Sequence, residues 1–325
     1  MMAMLARRPF DSPDWSFELK WDGVRVIAFV RPGSVRLQSR NLRDVSRQYV
    51  EMQDLGRLVR AREAILDGEV VSLRAGKPSF EQLQHRMHVA DPSPRLLASA
   101  PVEGVFFDLL YVDGEPLIDR PLTERQAHLR EILGEDERVH LTQVVDATGV
   151  AYFNAVKEMG LEGIVGKEKR STYQMGRRSP FWQKIKAIST QYCVVGGFTL
   201  GTGNIAGLLG ALRLGVYEGE YLRYAGKVGT GFTDRQRREI LDLLRPTVVK
   251  HSPFTPDPRI RDIVFVEPRY VVEVAYLEWT REGRLRHTSF RGFRPDVPPS
   301  DCVREDITQA VPPPPTARFA DLANG

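Results

Sequence analysis

Short apolar segments and polar turns alternate through the first 188 residues, with the spacing of both strands and helices. Segments with strand character are residues 24–30, 34–39, 63–73, 102–111 and 163–167, and segments with helical spacing are residues 49–60 and 151–159. Arg31-Pro32-Gly33 separates the first two strands and predicts a hairpin, and Asp67-Gly68 predicts a turn between two strands. The pattern predicts a mixed α+β domain over residues 1–188.

Three polar segments resemble capping boxes, in which a hydroxyl residue is followed three positions later by a glutamine. They begin at Ser79, Thr123 and Thr233. In such a box the hydroxyl side chain accepts a hydrogen bond from a backbone amide of the first turn, and the glutamine reaches back to the cap residue. Each segment therefore predicts the start of a helix.

After Lys186 the pattern becomes β-rich, with glycine turns between the segments. The strand-like segments are residues 192–200, 208–217, 221–228, 270–279 and 284–290, and one helix runs from Thr233 to about Leu244. Several strands with a single helix are typical of a small β-barrel of the OB type, although an SH3-like barrel shares this pattern. We predict this domain over residues 189–303, followed by a flexible, proline-rich tail over residues 304–325.

Composition narrows the class of protein. The 325 residues predict two domains, and 42% hydrophobic with 27% charged residues is ordinary for a globular protein. No apolar run reaches the length of a membrane span, and the start does not resemble a secretory signal. Cys193 and Cys302 form no Cys-x-x-Cys motif, which excludes a zinc ribbon and suits a reducing cytoplasm. The formal net charge of +4 permits nucleic-acid binding.

The most informative candidate for chemistry is Lys20, at the end of an apolar run and within residues 20–25 (KWDGVR). A lysine attacks as a nucleophile only when its amine is neutral, and neighbouring cations together with burial favour that form. Arg25 could hold an anion beside it. This set suggests attack of an amine on phosphorus, whereas a lone Lys-x-Asp-Gly is more often a surface lysine before a turn.

Further segments supply the charges and aromatic rings that a phosphoryl-transfer cleft requires. They are residues 39–41 (SRN), 67–69 (DGE), 107–111 (FDLLY), 162–167 (EGIVGK) and 182–186 (WQKIK). Side chains alternate along a strand, so Lys184 and Lys186 share a face. Taken singly, each segment also has a structural interpretation, such as a core aromatic or a solvated edge strand.

In this order, these segments resemble the nucleotidyltransferase motifs of ATP-dependent DNA ligases. Residues 223–232 and 278–287 are similar to the barrel of the bacterial ligases that act with Ku in end joining. The resemblance covers about residues 14–300. It implies an adenylation (nucleotidyltransferase) domain followed by an OB-fold domain, and it implies ATP-dependent sealing of nicks in duplex DNA through a lysyl-AMP intermediate on Lys20.

The resemblance also implies roles for other residues. Glu18 would read the adenine amino group, Phe107 would stack on the ring, and Glu69 would bind the ribose. The phosphates would be held by a set of cations: Arg25, Arg40, Arg178, Lys184 and Lys186. Glu162, together with Glu69, would bind Mg²⁺ or Mn²⁺, because these ions prefer oxygen ligands.

The last motif of the family matches Arg294 and Asp296, where Arg294 would orient the leaving pyrophosphate. The family usually follows this aspartate with lysine, and here the next residue is Val297. We expect this difference to slow self-adenylylation without abolishing it.

Several expectations about partners rest on the same resemblance. They are binding of nicked duplex DNA, a Ku-type end-binding partner, a monomeric state, no association with membranes, and action at the nucleoid of the bacterial cytoplasm. An RNA ligase or a capping nucleotidyltransferase would share the lysine chemistry. A non-catalytic DNA-end-binding protein is the alternative from another class, and it would not need the nucleophile.

Overall fold

The computed structural model describes residues 1–87 and 89–305, which form two compact units. The first spans Met1–Ala187, and the second begins at Ile188. The predicted tail lies outside the described residues except for Arg304 and Glu305. Within the described part of the chain, no helix has both the length and the hydrophobicity of a membrane span.

The first unit contains two sheets flanked by short helices. Its strands are β1 (Met2–Leu5), β2 (Trp15–Leu19), β3 (Val24–Arg31), β4 (Ser34–Ser39), β5 (Ala64–Val71), β6 (Leu73–Arg74), β7 (Lys77–Pro78), β8 (Glu103–Val112), β9 (Glu115–Pro116), β10 (Val139–Leu141), β11 (Val144–Asp146), β12 (Gly163–Glu168) and β13 (Arg178–Lys186). Its helices are α1 (Leu55–Leu58), α2 (Phe80–Gln84), α3 (Pro94–Ser99), α4 (Leu122–Ile132) and α5 (Gly149–Glu158), and Val50–Asp54 is a 3₁₀ helix.

One sheet has the strand order β1-β13-β12-β2-β11. One face of this sheet buries apolar side chains such as Phe17, Ile164 and Ile185, which cluster with Val156 of α5. In the register of these strands, Glu18 lies opposite Val165, and Val165 lies opposite Lys184. Because side chains alternate along a strand, Glu18, Lys167, Lys184 and Lys186 share the face away from that cluster.

The other sheet of this unit has the order β10-β8-β5-β3-β4, with β9 paired to β8. Alternate residues of β3, from Val24 to Val30, enter the main hydrophobic core together with Leu66 and Val70 of β5. Arg25 lies opposite Glu69 in the antiparallel pairing of β3 with β5, on the face away from that core.

The second unit is built on an antiparallel sheet with one α-helix among its described residues. Its elements are β14 (Thr190–Leu200), β15 (Leu209–Glu218), β16 (Tyr221–Val228), α6 (Asp234–Leu244), β17 (Val264–Phe265), β18 (Val271–Ala275), β19 (Glu278–Trp279), β20 (Leu285–Arg286) and β21 (Ser289–Phe293), with 3₁₀ turns at Gly203–Ile205, Arg245–Thr247 and Pro299–Asp301. Thr233 and Gln236 form the predicted capping box at the start of α6. The side chains of Ile240, Leu241 and Leu244 pack into the core of the sheet.

The mixed α+β fold class is confirmed, but the strands of the second unit do not close into a barrel within the described residues. The sheet runs β16-β15-β14-β18-β21, with β17 paired to β14, and its two edge strands are not paired as a ladder. They approach one another only locally, where the Phe290 amide donates to the Thr230 carbonyl at 2.9 Å. Side-chain patterning predicts strands and their faces, whereas closure depends on the ladder between the edges.

Two local predictions in the first unit are wrong. Asp67 and Gly68 lie inside the continuous strand β5 rather than at a turn, and Gly68 is required because a Cβ there would lie 2.5 Å from the Phe106 ring. Thr123 does not cap α4, whose N-cap is Pro121 without a side-chain bond. The helix begins at Leu122, one residue before Thr123, so Gln126 lies within the helix and is buried.

Candidate active site

Lys20 follows directly after β2, and its backbone amide donates to the Gly163 carbonyl at the start of β12 (2.9 Å). This bond brings Lys20 beside Glu162, which immediately precedes β12. The Lys20 Nζ ammonium forms an ion pair with Glu162 Oε1. Both side chains are largely buried, with 17% and 10% of their surfaces exposed. The predicted nucleophile and the predicted metal ligand are therefore in contact.

Glu18 is buried and is held by two donors. Lys167 Nζ donates to Glu18 Oε2 at 2.6 Å, and Gln126 Nε2 donates to Glu18 Oε1 at 2.8 Å. Burial raises the pKa of Glu18 above its ordinary value, although the Lys167 ammonium opposes the shift. Each carboxylate oxygen has a second lone pair, so Glu18 can still accept hydrogen bonds from a ligand.

Aromatic rings surround the Lys167 ammonium. Its Nζ lies 4.2 Å from the ring centroids of both Phe107 and Trp182, and those two rings meet edge to face at 6.0 Å. Phe107 and Trp182 are buried. The rings, the ammonium and Glu18 thus form one buried, mainly apolar cluster that contains a charged pair. This cluster is the candidate base pocket, because its aromatic rings and few polar atoms match those of a flat heterocycle.

Arg25 is held by a carboxylate that the sequence pattern had placed in a turn. Arg25 Nε donates to Asp67 Oδ1 at 2.9 Å, and Tyr173 Oη donates to Asp67 Oδ2 at 2.7 Å. Burial works against the charged form of Arg25, but the Asp67 carboxylate raises the pKa of Arg25. Burial likewise opposes ionisation of Asp67, and the Arg25 guanidinium nevertheless lowers its pKa. Arg25 also lies 5.6 Å from the Phe107 ring.

The structure brings most of the predicted site residues together. Arg178 and Arg40 lie apart from the others, at the ends of strands in different sheets. Lys184 and Lys186 are partly exposed on the Glu18 face of β13. Arg178 begins β13 and is exposed, with Nη1 donating to the Ala3 carbonyl at 3.4 Å. Arg40, after β4, lies with Nη2 3.2 Å from Met2 Sδ. These two arginines therefore contact β1 in this conformation.

The carboxylates predicted to bind a metal fit a divalent cation that retains most of its water. Glu162 Oε2 is buried and has no hydrogen-bond partner among the described residues. Glu69 is partly exposed on the Arg25 face of β5. The part of the chain that the structure describes contains no cluster of three or more His, Cys, Asp or Glu suited to a metal. Mg²⁺ is commonly bound through one or two carboxylates, so this set is compatible with it.

In the second unit, Arg294 is buried and engaged by two carboxylates. It pairs with Asp296 through Nε (2.9 Å) and Nη2 (2.8 Å), and Nη1 donates to Glu273 at 3.2 Å. Burial works against its charge, but Asp296 raises the pKa of Arg294. Val297 is buried in an apolar cluster that contains Phe254. A lysine at this position would place its charge among those apolar side chains.

Residues important to the geometry were missed by sequence reasoning. Lys167 ends the motif of residues 162–167, and the motif alone predicts no contact with Glu18. The other side chains of this kind are Asp67, Tyr173, Trp182 and Gln126. The Asp108–Arg125 ion pair also belongs here: Arg125 Nε and Nη2 donate to the carboxylate at 2.8 and 2.9 Å, and both side chains are fully buried. Arg125 and Gln126 lie on the buried face of α4, between Leu122 and Leu129, and this spacing predicts their burial. The capping-box interpretation instead placed Gln126 at an exposed helix start.

Comparison with known proteins identifies the family. Residues 4–186 match the ATP dependent DNA ligase domain, and residues 206–297 match the ATP dependent DNA ligase C terminal region. The multifunctional non-homologous end joining DNA repair protein LigD of Mycobacterium tuberculosis is 38% identical over 295 residues, which are 90% of this chain and 37% of that protein. LigD of Pseudomonas aeruginosa is 35% identical over 324 residues, with 96% of this chain and 37% of that protein covered.

A solved structure of mycobacterial DNA ligase D complexed with ATP and MES matches with a TM-score of 0.63 at 35% identity. The match covers 94% of this chain and 98% of that one. The chain spans little more than a third of the length of the two LigD relatives. Two matched ligase domains, and relatives at this identity across nearly the whole chain, show that it belongs to the ATP-dependent DNA ligase family.

Proposed function

We propose that this protein seals nicks in duplex DNA with ATP, through a covalent AMP on Lys20. The observation that carries the proposal is the position of Lys20, which lies against Glu162 and two residues beyond Glu18 on the polar face of the sheet. A nucleophile, a carboxylate and a buried cluster of aromatic and charged side chains are then close together. A DNA-binding protein without catalysis would not need this arrangement.

In the first step, the neutral Lys20 amine attacks the α-phosphorus of ATP. The N–P bond forms as the bond to the bridging oxygen of pyrophosphate breaks, and the proton lost by the amine leaves to solvent or to a neighbouring base. The Lys20–Glu162 ion pair favours the charged amine, so the pair must loosen before attack. Lys184 and Lys186 would stabilise the charge that develops on the α-phosphate.

The pocket residues would hold the nucleoside. Phe107 would stack on the adenine ring, Glu18 would accept from its 6-amino group, and Glu69 would bind the ribose. Lys167 has donors beyond the one used on Glu18, and these match the acceptor nitrogen N1 of adenine. Lys167 Nζ lies over the Phe107 ring, so this side chain would have to move aside for adenine to stack there.

The remaining cations would hold phosphates. Arg25, Arg40 and Arg178 would bind those of ATP and then the 5′-phosphate of the nick, and Arg294 would orient pyrophosphate. Glu162, with Glu69, would hold Mg²⁺ or Mn²⁺. Such a cation would supply positive charge that stabilises phosphate oxygens. Glu162 would then bind the cation in place of the Lys20 ammonium.

The later steps complete sealing. AMP passes from the lysine to the 5′-phosphate, so the P–N bond breaks and a pyrophosphate linkage forms. The 3′-hydroxyl then attacks the 5′-phosphorus, AMP leaves, and a proton is released. By similarity to the LigD relatives, we propose a role in end joining at the bacterial nucleoid, as a monomer, with a Ku-type protein bound at the DNA ends.

The proposal is tested by covalent labelling. Incubation with α-³²P-ATP and Mg²⁺ or Mn²⁺, followed by a denaturing gel, is expected to label wild-type protein and leave Lys20→Ala unlabelled. Nicked duplex DNA should then remove the label and yield sealed product. Lys77→Ala changes an exposed lysine outside the site and serves as the matched control.

Other outcomes separate the alternatives. Label that RNA ends remove and nicked DNA does not would indicate an RNA ligase, and label from GTP alone would indicate a capping enzyme. Wild-type protein that carries no prior AMP and still takes up no label would contradict the catalytic proposal.

A further inference from the structure

Gln126 joins the two groups that the proposed function uses to hold a purine. It lies within α4 and is buried. Its Nε2 donates to Glu18 Oε1 at 2.8 Å and to the Phe107 carbonyl at 3.2 Å. Glu18 belongs to β2 of one sheet and Phe107 to β8 of the other. One neutral side chain therefore connects the carboxylate and the aromatic residue across the pocket.

The orientation of this amide follows from its partners. Both groups in contact with Nε2 are acceptors, a carboxylate oxygen and a backbone carbonyl. A rotated amide would direct its own carbonyl oxygen at both of them and lose both hydrogen bonds, so the NH₂ group must face Glu18.

The helix that carries Gln126 is fixed at the adjacent position. Arg125 binds Asp108 with two hydrogen bonds and also donates to the Arg120 and Ser171 carbonyls, at 2.7 and 2.9 Å. Asp108 is the neighbour of Phe107. These bonds hold α4 against β8 at the residues that line the pocket, so the Gln126 amide is presented to Glu18 from a rigid element.

The hydrogen-bonding pattern of the bases makes this contact selective. Adenine has a donor at the 6-position and an acceptor at N1, whereas a 6-oxo purine has an acceptor at the 6-position and a donor at N1. Glu18 receives donors on both oxygens, from Gln126 and Lys167, and is thereby kept as an acceptor. A carboxylate oxygen beside a 6-amino group accepts a hydrogen bond from it, whereas beside a 6-oxo group the two oxygens repel each other.

We propose that Gln126 is a positioning residue that sets base selectivity, because it holds the Glu18 carboxylate as an acceptor for the 6-amino group of ATP and against 6-oxo purine nucleotides. The inference rests on the proposed adenylylation of Lys20 and extends it to the choice of nucleotide. Gln126 acts through Glu18 and is not assigned a contact with the nucleotide itself.

The test compares ATP with ITP, which differs from ATP only in the 6-oxo group and the N1 proton. The rate of labelling by α-³²P forms of both nucleotides, measured against nucleotide concentration, gives a maximal labelling rate and a half-saturating concentration for each protein. The ratio of these two quantities for ATP, divided by the ratio for ITP, is the preference. In Gln126→Leu, which removes both hydrogen bonds, we expect the preference for ATP over ITP to fall by about tenfold or more, with the half-saturating concentration of ATP raised more than the maximal rate is lowered.

Gln126→Glu supplies a second variant of nearly the same shape. Two carboxylates so close share a proton, and the protonated pair can donate to a 6-oxo group. We expect the ATP preference of this variant to fall further as the pH is lowered from 8 to 6. Gln53→Leu is the matched control, because it removes an exposed glutamine that donates to the Val35 carbonyl away from the pocket.

The outcomes distinguish the inference from the proposed function. Labelling of wild type and Gln53→Leu by ATP would support the ligase proposal. The inference would be overturned if a Gln126 variant with the melting temperature of wild type kept the preference for ATP over ITP within twofold of the wild-type value. If both Gln126 variants melt at a lower temperature than wild type, the ATP-to-ITP preference is measured below their unfolding transitions and is judged by the same criterion. A purely structural defect would lower the labelling by both nucleotides equally and leave this preference unchanged. Absence of label in wild type would instead refute the proposed function.

Discussion

Buried charges at the candidate site are paired across large distances in the sequence. Lys167 binds Glu18, Arg25 binds Asp67, and the Tyr173 hydroxyl donates to the same aspartate. Breaking such a pair leaves one charge buried without its partner, and this costs more than the pair itself contributes. At the residue scale, Glu18 and Arg25 therefore each depend on a second side chain of opposite charge.

Asp67→Asn tests this dependence through pH. The folded-state pKa of Asp67 is lowered, so its contribution to stability is fully present above the ordinary value of 3.8 and is lost as the pH falls through the folded value. We expect the variant to be about 3 kcal/mol less stable at pH 7. The difference should shrink below about pH 4.

The measurement is denaturant unfolding of both proteins between about pH 7 and pH 2.5, a range that extends below the ordinary pKa of an aspartate. Glu18 and the other carboxylates titrate in both proteins, so their contributions cancel in the difference. A stability difference that stayed constant across this range would contradict the assignment of an ionised Asp67.

At the scale of elements, the alternation of side chains along each strand determines which of them face the site. Phe17, Ile164 and Ile185 face the apolar cluster beside α5, and the intervening residues of the same strands carry the charged groups. A one-residue slip in register would exchange these faces. In the other sheet of this unit, β5 approaches β8 closely at Gly68, where only a residue without a side chain fits against Phe106.

Gly68→Ala is expected to destabilise the first unit. Its Cβ would lie 2.5 Å from the Phe106 ring and 2.8 Å from the Val105 carbonyl, so backbone or ring must move. Forced repacking of this kind costs about 2 kcal/mol. Thermal or denaturant unfolding measures the change.

Gly56→Ala is the matched control within α1. Its Cβ would meet Val35 at 3.5 Å, an ordinary contact, and alanine favours helix. Stability should be unchanged or raised by about 0.5–1 kcal/mol. Equal losses in both variants would indicate that the packing around Gly68 is not the cause.

The whole molecule consists of two units, each with its own buried cluster of apolar residues. The formal net charge of +4 is modest for a protein that binds a phosphate backbone. Under the proposed function, DNA affinity would come mainly from local cations such as those of β13, which replace counterions on the duplex.

Binding to nicked duplex DNA should consequently weaken as salt rises. We expect a linear fall of log K with log salt concentration, and a loss of at least about tenfold between 50 and 200 mM NaCl. Fluorescence anisotropy with a labelled nick measures it, with sucrose at equal osmolality as the control. An affinity independent of salt would exclude a binding mode dominated by phosphate contacts.

The chain by itself predicted many of its strands and helices, the shared face of Lys184 and Lys186, and the cap at Thr233, and it indicated Lys20 and Arg25 as candidates for chemistry. These are local properties, set by the side-chain period and by turn and cap chemistry. Glu18 became a candidate only through the resemblance of the surrounding motif to the ligase family.

Tertiary structure alone decided the partners of those residues. Gln126 and Glu18 are 108 positions apart, and Tyr173 and Asp67 are 106 positions apart. Local patterning carries no information on such pairs, because they arise only when two sheets and α4 assemble. For the same reason, the burial of Val297, the interior position of Gly68 and the open edge of the second sheet could be learned only from the folded chain.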